Sequence, residues 1–83
     1  MYRVLIESRV KKELDEIPDD YYKKIEQTIL QLKQEPRPFG VKKLKGSNDW
    51  RLRIGNYRIL YTVDDKNRIV KIYRVKHRKE VYR

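Results

Sequence analysis

The chain has 83 residues, 39% hydrophobic and 41% charged, with 22 Lys/Arg against 12 Asp/Glu and a formal net charge of +10. That length suits a single small domain over residues 1–83 with a compact core. The absence of cysteine excludes a disulfide framework and a thiolate metal site, and no apolar run is long enough for a membrane span or a signal segment, so a soluble cytoplasmic protein without a membrane partner is expected.

The charge is unevenly spread. Residues 1–41 hold eight Lys/Arg and eight Asp/Glu, whereas residues 42–83 hold fourteen and four. All of the excess therefore lies in the second half. Solubility does not require one-sided charge, and a basic field confined to part of a domain suits nucleic acid or an acidic protein.

Tyr2 to Glu7 is a short apolar run that reads as a strand. Ser8 can cap a following helix, whose apolar face recurs at Val10, Leu14 and Ile17. Pro18 stops that helix. Asp19 or Asp20 can cap a second one, running to about Gln34, with Tyr22, Ile25, Ile29 and Leu32 as its stripe. The two helices form an antiparallel hairpin whose stripes can cover one face of a sheet.

Glu35-Pro36-Arg37-Pro38-Phe39-Gly40 is a break, because two prolines one residue apart exclude a regular helix. Val41 to Gly46 follows as an exposed basic approach, and its Lys43 and Lys45 are candidates for a phosphate backbone. Trp50 to Val63 then reads as two strands joined by a Gly55-Asn56 turn, and Gly in first place suits type II′. That register sets Ile54 opposite Tyr57, Arg53 opposite Arg58, Leu52 opposite Ile59, Arg51 opposite Leu60 and Trp50 opposite Tyr61. With a side-chain period of two, Trp50, Leu52, Ile54, Tyr57, Ile59 and Tyr61 share a core face, while Arg51, Arg53 and Arg58 share the other. Directly opposed arginines weaken a strand pair, so folding alone does not call for them. Asp64 to Asn67 is a turn. Arg68 to Lys76 is a further strand with apolar residues in both parities, which leaves its register open.

One histidine, no cysteine and scattered acids argue against a metal or other cofactor. The three glycines, Gly40, Gly46 and Gly55, make no phosphate loop, and no nucleophile elbow surrounds Ser8 or Ser47. Arginine chemistry remains. A guanidinium is permanently charged and grips phosphate with a planar fork. RNA cleavage by its own 2′-hydroxyl needs fixed cations for the charge that builds on phosphorus, together with groups that move protons. Arg51, Arg53 and Arg58 can supply the cations, and Tyr82 or His77 can take part in proton transfer.

Val41 to Gly46, Trp50 to Tyr61 and His77-Arg78-Lys79-Glu80-Val81-Tyr82 together resemble the RelE/ParE toxin superfamily, and the opening strand and helical hairpin also fit. The resemblance implies an α+β fold of order β-α-α-β-β-β, a mainly antiparallel, curved, four-stranded sheet packed on the N-terminal helical hairpin. It implies a toxin with a cognate antitoxin as partner. The similarity leans to the RelE side, whose members are endonucleases that cut mRNA on the ribosome. On that resemblance Arg58, Arg78 and Tyr82 are the catalytic set: Arg58 stabilises the transition state, Arg78 acts on phosphate and Tyr82 is the base. Arg51 and Arg53 stand where such toxins carry basic residues, and Lys43, Lys45 and His77 complete the expected substrate contacts. The tail from Arg78 to Tyr82 is shorter than in the best-studied type, and Arg51 and Arg53 replace lysines. The alternatives are a ParE-like inhibitor of DNA gyrase and a nuclease-inactive homologue that binds its antitoxin.

Overall fold

The structure is a computed structural model and describes residues 1–44, 46 and 48–77. Strand β1 spans Arg3–Ile6, helix α1 Ser8–Asp15, helix α2 Asp19–Leu32, β2 Lys42–Lys43, β3 Asp49–Ile54, β4 Tyr57–Asp64 and β5 Ile69–His77. The expected class and element order hold, with one strand more than the sequence predicts. The sheet has five strands in the order β1-β5-β4-β3-β2. The additional strand is β2, two lysines paired antiparallel with β3, which is too short to leave a periodic signal. The sheet is mixed, since β1 lies parallel to β5 while the other three pairings are antiparallel.

The helix stripes become the core. Val10, Ile25 and Leu32 are fully buried and Ile17 and Ile29 nearly so, against Leu52, Ile59, Tyr61, Val70, Ile72 and Val75 of the sheet. Trp50, Ile54 and Tyr57 pack on the rim of this cluster. Pro18 does end the first helical segment. It stands at the entry to α2, with Asp19 and Asp20 in the first turn, where carboxylates favour the positive end of the helix dipole. Neither aspartate makes a capping hydrogen bond, and Glu7 rather than Ser8 occupies the cap of α1.

The hairpin register is the one read from the sequence, from Trp50 opposite Tyr61 to Ile54 opposite Tyr57. Gly55 has φ +57° and Asn56 is not in the left-handed region, which fits a II′ turn and not I′. The two parities of β5 also find their explanation. The ladder steps from Leu60–Arg74 to Tyr61–Ile72, leaving Tyr73 as the additional residue of a bulge. Val70 and Ile72 face the helices before the bulge, and Val75 faces them after it. At the next turn, Asp64 accepts from the Asn67 backbone N–H and side-chain amide at 3.1 and 2.8 Å.

The break after α2 is tied down along its length. Pro36 is buried and its carbonyl accepts the Tyr61 hydroxyl at 2.8 Å. Arg37 grips Asp65 with both terminal nitrogens, at 3.1 and 2.5 Å, and lies over the Trp50 ring at 5.3 Å. Tyr2 donates to the same carboxylate at 2.6 Å. The Val41 N–H then donates to the Pro38 carbonyl at 3.2 Å, with Gly40 at φ +90°. That is a type II turn with Phe39 and Gly40 at its centre.

Candidate functional site

The face of the sheet turned away from the helices carries two rows of cations. Lys42 registers with Arg51, Arg51 with Leu60 and Leu60 with Arg74. One step along, Arg53 registers with Arg58 and Arg58 with Lys76. Neighbouring strands stand about 4.8 Å apart and same-face residues about 7 Å apart along a strand. Six positive side chains thus originate within a few squares of one lattice. Like charges placed so are a cost to the sheet.

Two of the six are neutralised by a residue from the helical layer. Glu13 of α1 reaches the edge of β5 beyond the end of β1. It accepts the Val75 backbone N–H at 2.9 Å and pairs with Arg74 at 3.0 Å and Lys76 at 3.6 Å. Its side chain is only 14% exposed, so this contact closes an otherwise unpaired strand edge and anchors both cations. Lys42, Arg51 and Arg53 have no carboxylate partner among the described residues. Together with Gly40 they line a cleft of about 200 Å³. Arg53 is exposed and Arg51 half-buried.

Arg58 differs from the open guanidinium expected. It lies on the same face as Arg53, yet it is 1% exposed and is the one buried charged side chain among the described residues. Burial of a guanidinium is costly unless it is satisfied, and Arg58 is covered on a face where Arg53 is open to solvent.

The other expected contacts divide. Lys43 registers with Trp50, on the core parity, so the cleft lysine is Lys42. His77 registers with Tyr57 and meets its ring edge-on at 5.3 Å. The Tyr57 ring meets Tyr21 of α2 at 5.3 Å as well. Lys43 and His77 therefore belong to the parity that faces the helices, away from the arginines. A one-residue change of parity is enough to move a side chain across the sheet. Lys45, Arg78 and Tyr82 lie outside the described residues. Lys42 entered the sequence reading only as part of the basic approach, and Arg74, Lys76 and Glu13 were missed by it. The Arg74-Val75-Lys76 alternation carries a signal, but the bulge at Tyr73 conceals its face.

A second polar feature shares this face. The Tyr73 hydroxyl donates to Asp49 at 2.7 Å. Burial first, and this carboxylate next, push the Tyr73 phenol up to about 12. The Tyr61 phenol is also raised, chiefly by burial. Neither is a base at neutral pH.

Residues 4–82 match the profile of the ParE toxin of type II toxin–antitoxin systems, parDE. The chain belongs to the RelE/ParE toxin family. It is 37% identical, over 99% of its length and 96% of the other, to a candidate toxin named RelE1 of Methanocaldococcus jannaschii. Its fold is similar to that in the crystal structure of the RelE–RelB complex of Pyrococcus horikoshii, at TM-score 0.85 and 36% identity, covering 93% of this chain and 94% of that one. The toxin–antitoxin complex RelBE2 of Mycobacterium tuberculosis gives 0.81 and 29%, covering 93% and 98%.

Proposed function

We propose that this toxin is an endoribonuclease that cuts mRNA on the ribosome by attack of the 2′-hydroxyl on the adjacent phosphorus. The observation that carries the reading is the cleft of Lys42, Arg51 and Arg53, with the buried Arg58 in register with Arg53 on the same face of the sheet. Charge on phosphorane oxygens is stabilised best by cations already in place, since nothing then reorganises during the reaction. Arg51 and Arg53 receive the phosphate directly. Arg58, on the strand beside Arg53, adds a permanent positive charge in a medium where charge acts more strongly than in water. The resemblance gives Arg78 a second phosphate contact and Tyr82 the role of base. Neither Arg51 nor Arg53 is a good proton donor, because a guanidinium barely deprotonates. The leaving 5′-oxygen therefore takes its proton from another group or from water.

A cognate antitoxin, acidic where it covers this face, would silence the cleft by occupying it and cancelling its field. The solved relatives are a RelE–RelB complex from Pyrococcus and a toxin–antitoxin complex from Mycobacterium, which supports an antitoxin as partner.

In vitro translation with primer extension tests the reading. The wild-type chain should leave codon-phased cuts. Arg51→Ala and Arg53→Ala should each lower the cleavage rate about ten- to a hundredfold, as for loss of a charged hydrogen bond. Because the matching family profile is described as ParE, gyrase supercoiling is the second assay. Stalled supercoiling with translation unaffected would replace the nuclease by a gyrase inhibitor, and neither effect would leave a homologue that only binds its antitoxin.

A further inference from the structure

Phe39 is fully exposed, and it is the one exposed aromatic side chain among the described residues. A single apolar side chain at a surface needs no explanation by itself. Its setting is what matters. Phe39 takes the first central position of the Pro38–Val41 turn, whose closing hydrogen bond and positive φ at Gly40 set its backbone. The segment leading into that turn is anchored three times over, by the buried Pro36, by the Tyr61 hydroxyl on the Pro36 carbonyl, and by Arg37 on Asp65 and Trp50. The fold thus spends several contacts on holding a ring that touches nothing of its own.

The next residue, Gly40, lines the cationic cleft with Lys42, Arg51 and Arg53. Consecutive Cα atoms are about 3.8 Å apart, so the ring is mounted at the lip of that cleft. A phosphate site flanked by a rigid exposed aromatic matches the chemistry of single-stranded nucleic acid, in which the backbone follows the cations and a base stacks on the ring. The rings of Trp50, Tyr57 and Tyr61 are committed to the core side, which leaves Phe39 as the platform.

We infer that Phe39 is a base-stacking residue, holding one nucleobase of the mRNA while the neighbouring phosphate lies in the Lys42–Arg51–Arg53 cleft. This rests on the nuclease reading above and deepens it. The ring acts by dispersion and π-overlap with a base, so it recognises a flat aromatic surface and not a particular hydrogen-bonding edge.

The test is single-turnover cleavage of ribosome-bound mRNA by the full chain and its Phe39→Trp, Phe39→Leu and Phe39→Ala variants. The expected order of kcat/KM is Trp equal to or above Phe, then Leu, then Ala. The Ala variant should fall about five- to a hundredfold, the range for loss of one base–aromatic stack. The thermal midpoint of all three should stay at the wild-type value, since the ring packs on nothing. An mRNA with an abasic residue, scanned through the cut codon, should at one position cost the wild type as much as Phe39→Ala costs on intact mRNA. Combining the two should then cost nothing more. If Phe39→Ala keeps its full effect on every abasic mRNA, the ring meets ribosomal RNA or protein and the assignment is overturned. It is overturned also if Leu performs as well as Phe, or if all variants cleave equally, and in those cases the nuclease reading stands. If the wild type does not cleave at all, the nuclease reading falls and takes this inference with it.

Discussion

The two faces of this sheet obey different rules. On the helix side, Leu52, Ile59, Tyr61, Val70, Ile72 and Val75 meet Val10, Ile25 and Leu32 in a buried core, with Trp50, Ile54 and Tyr57 at its rim. On the opposite side the same strands set Lys42, Arg51, Arg53, Arg58, Arg74 and Lys76 in two neighbouring rows. Apolar burial stabilises the first arrangement, whereas mutual repulsion opposes the second. One surface is shaped by folding and the other by what it must hold.

Single substitutions on the two faces should therefore separate stability from activity. Ile59→Ala empties a fully buried site and should cost about 2–5 kcal/mol, a large part of the about 4–12 kcal/mol expected for a domain of this size. Arg53→Ala, on the exposed side, should change stability by less than about 0.5 kcal/mol while removing most cleavage. Urea unfolding alongside the primer-extension assay checks both halves. Loss of stability on losing Arg53 would erase the distinction between the faces.

Glu13 belongs to both layers, so its removal should blur them. Glu13→Ala removes the acceptor of the Val75 N–H and one carboxylate shared by the Arg74 and Lys76 charges. A cost of about 1–3 kcal/mol is expected, smaller than that of Ile59→Ala, with faster hydrogen exchange at Val75 as the local readout. The smallest effect is a pH dependence. Tyr73 has its folded pKa raised from 10.0 to about 12, by burial and then by Asp49. A raised pKa contributes stability that is present in full below pH 10 and is lost as pH climbs toward 12. The thermal midpoint of the wild type should therefore fall toward that of Tyr73→Phe across that window, and the two should differ by a constant amount below it.

The legibility of the two faces differed for physical reasons. The stripes of α1 and α2 and the register of the β3–β4 hairpin were readable because burial on one side imposes a strict period. The pairing of Arg53 with Arg58 followed from the turn alone. What escaped was decided by long-range contact. The bulge at Tyr73 depends on how β5 meets β4, and β2 is too short to show a period. Whether Lys42 or Lys43 lines the cleft turns on a single step of register. The burial of Arg58 has no signature in its neighbours, since Arg53 across the ladder is exposed. Lys45, Arg78 and Tyr82 stay with the sequence argument.

The parallel union of β1 with β5 has a consequence for biosynthesis. Arg3 registers with Ile69 and Ile6 with Ile72, so the first strand made must wait for the last before it has a neighbour. The helical pair and the β3–β4 hairpin that carries Arg51 and Arg53 can assemble from local contacts, but β1 joins the sheet only when β5 has been made. A chain cut short before β5 would keep its cationic hairpin and leave β1 without a strand partner.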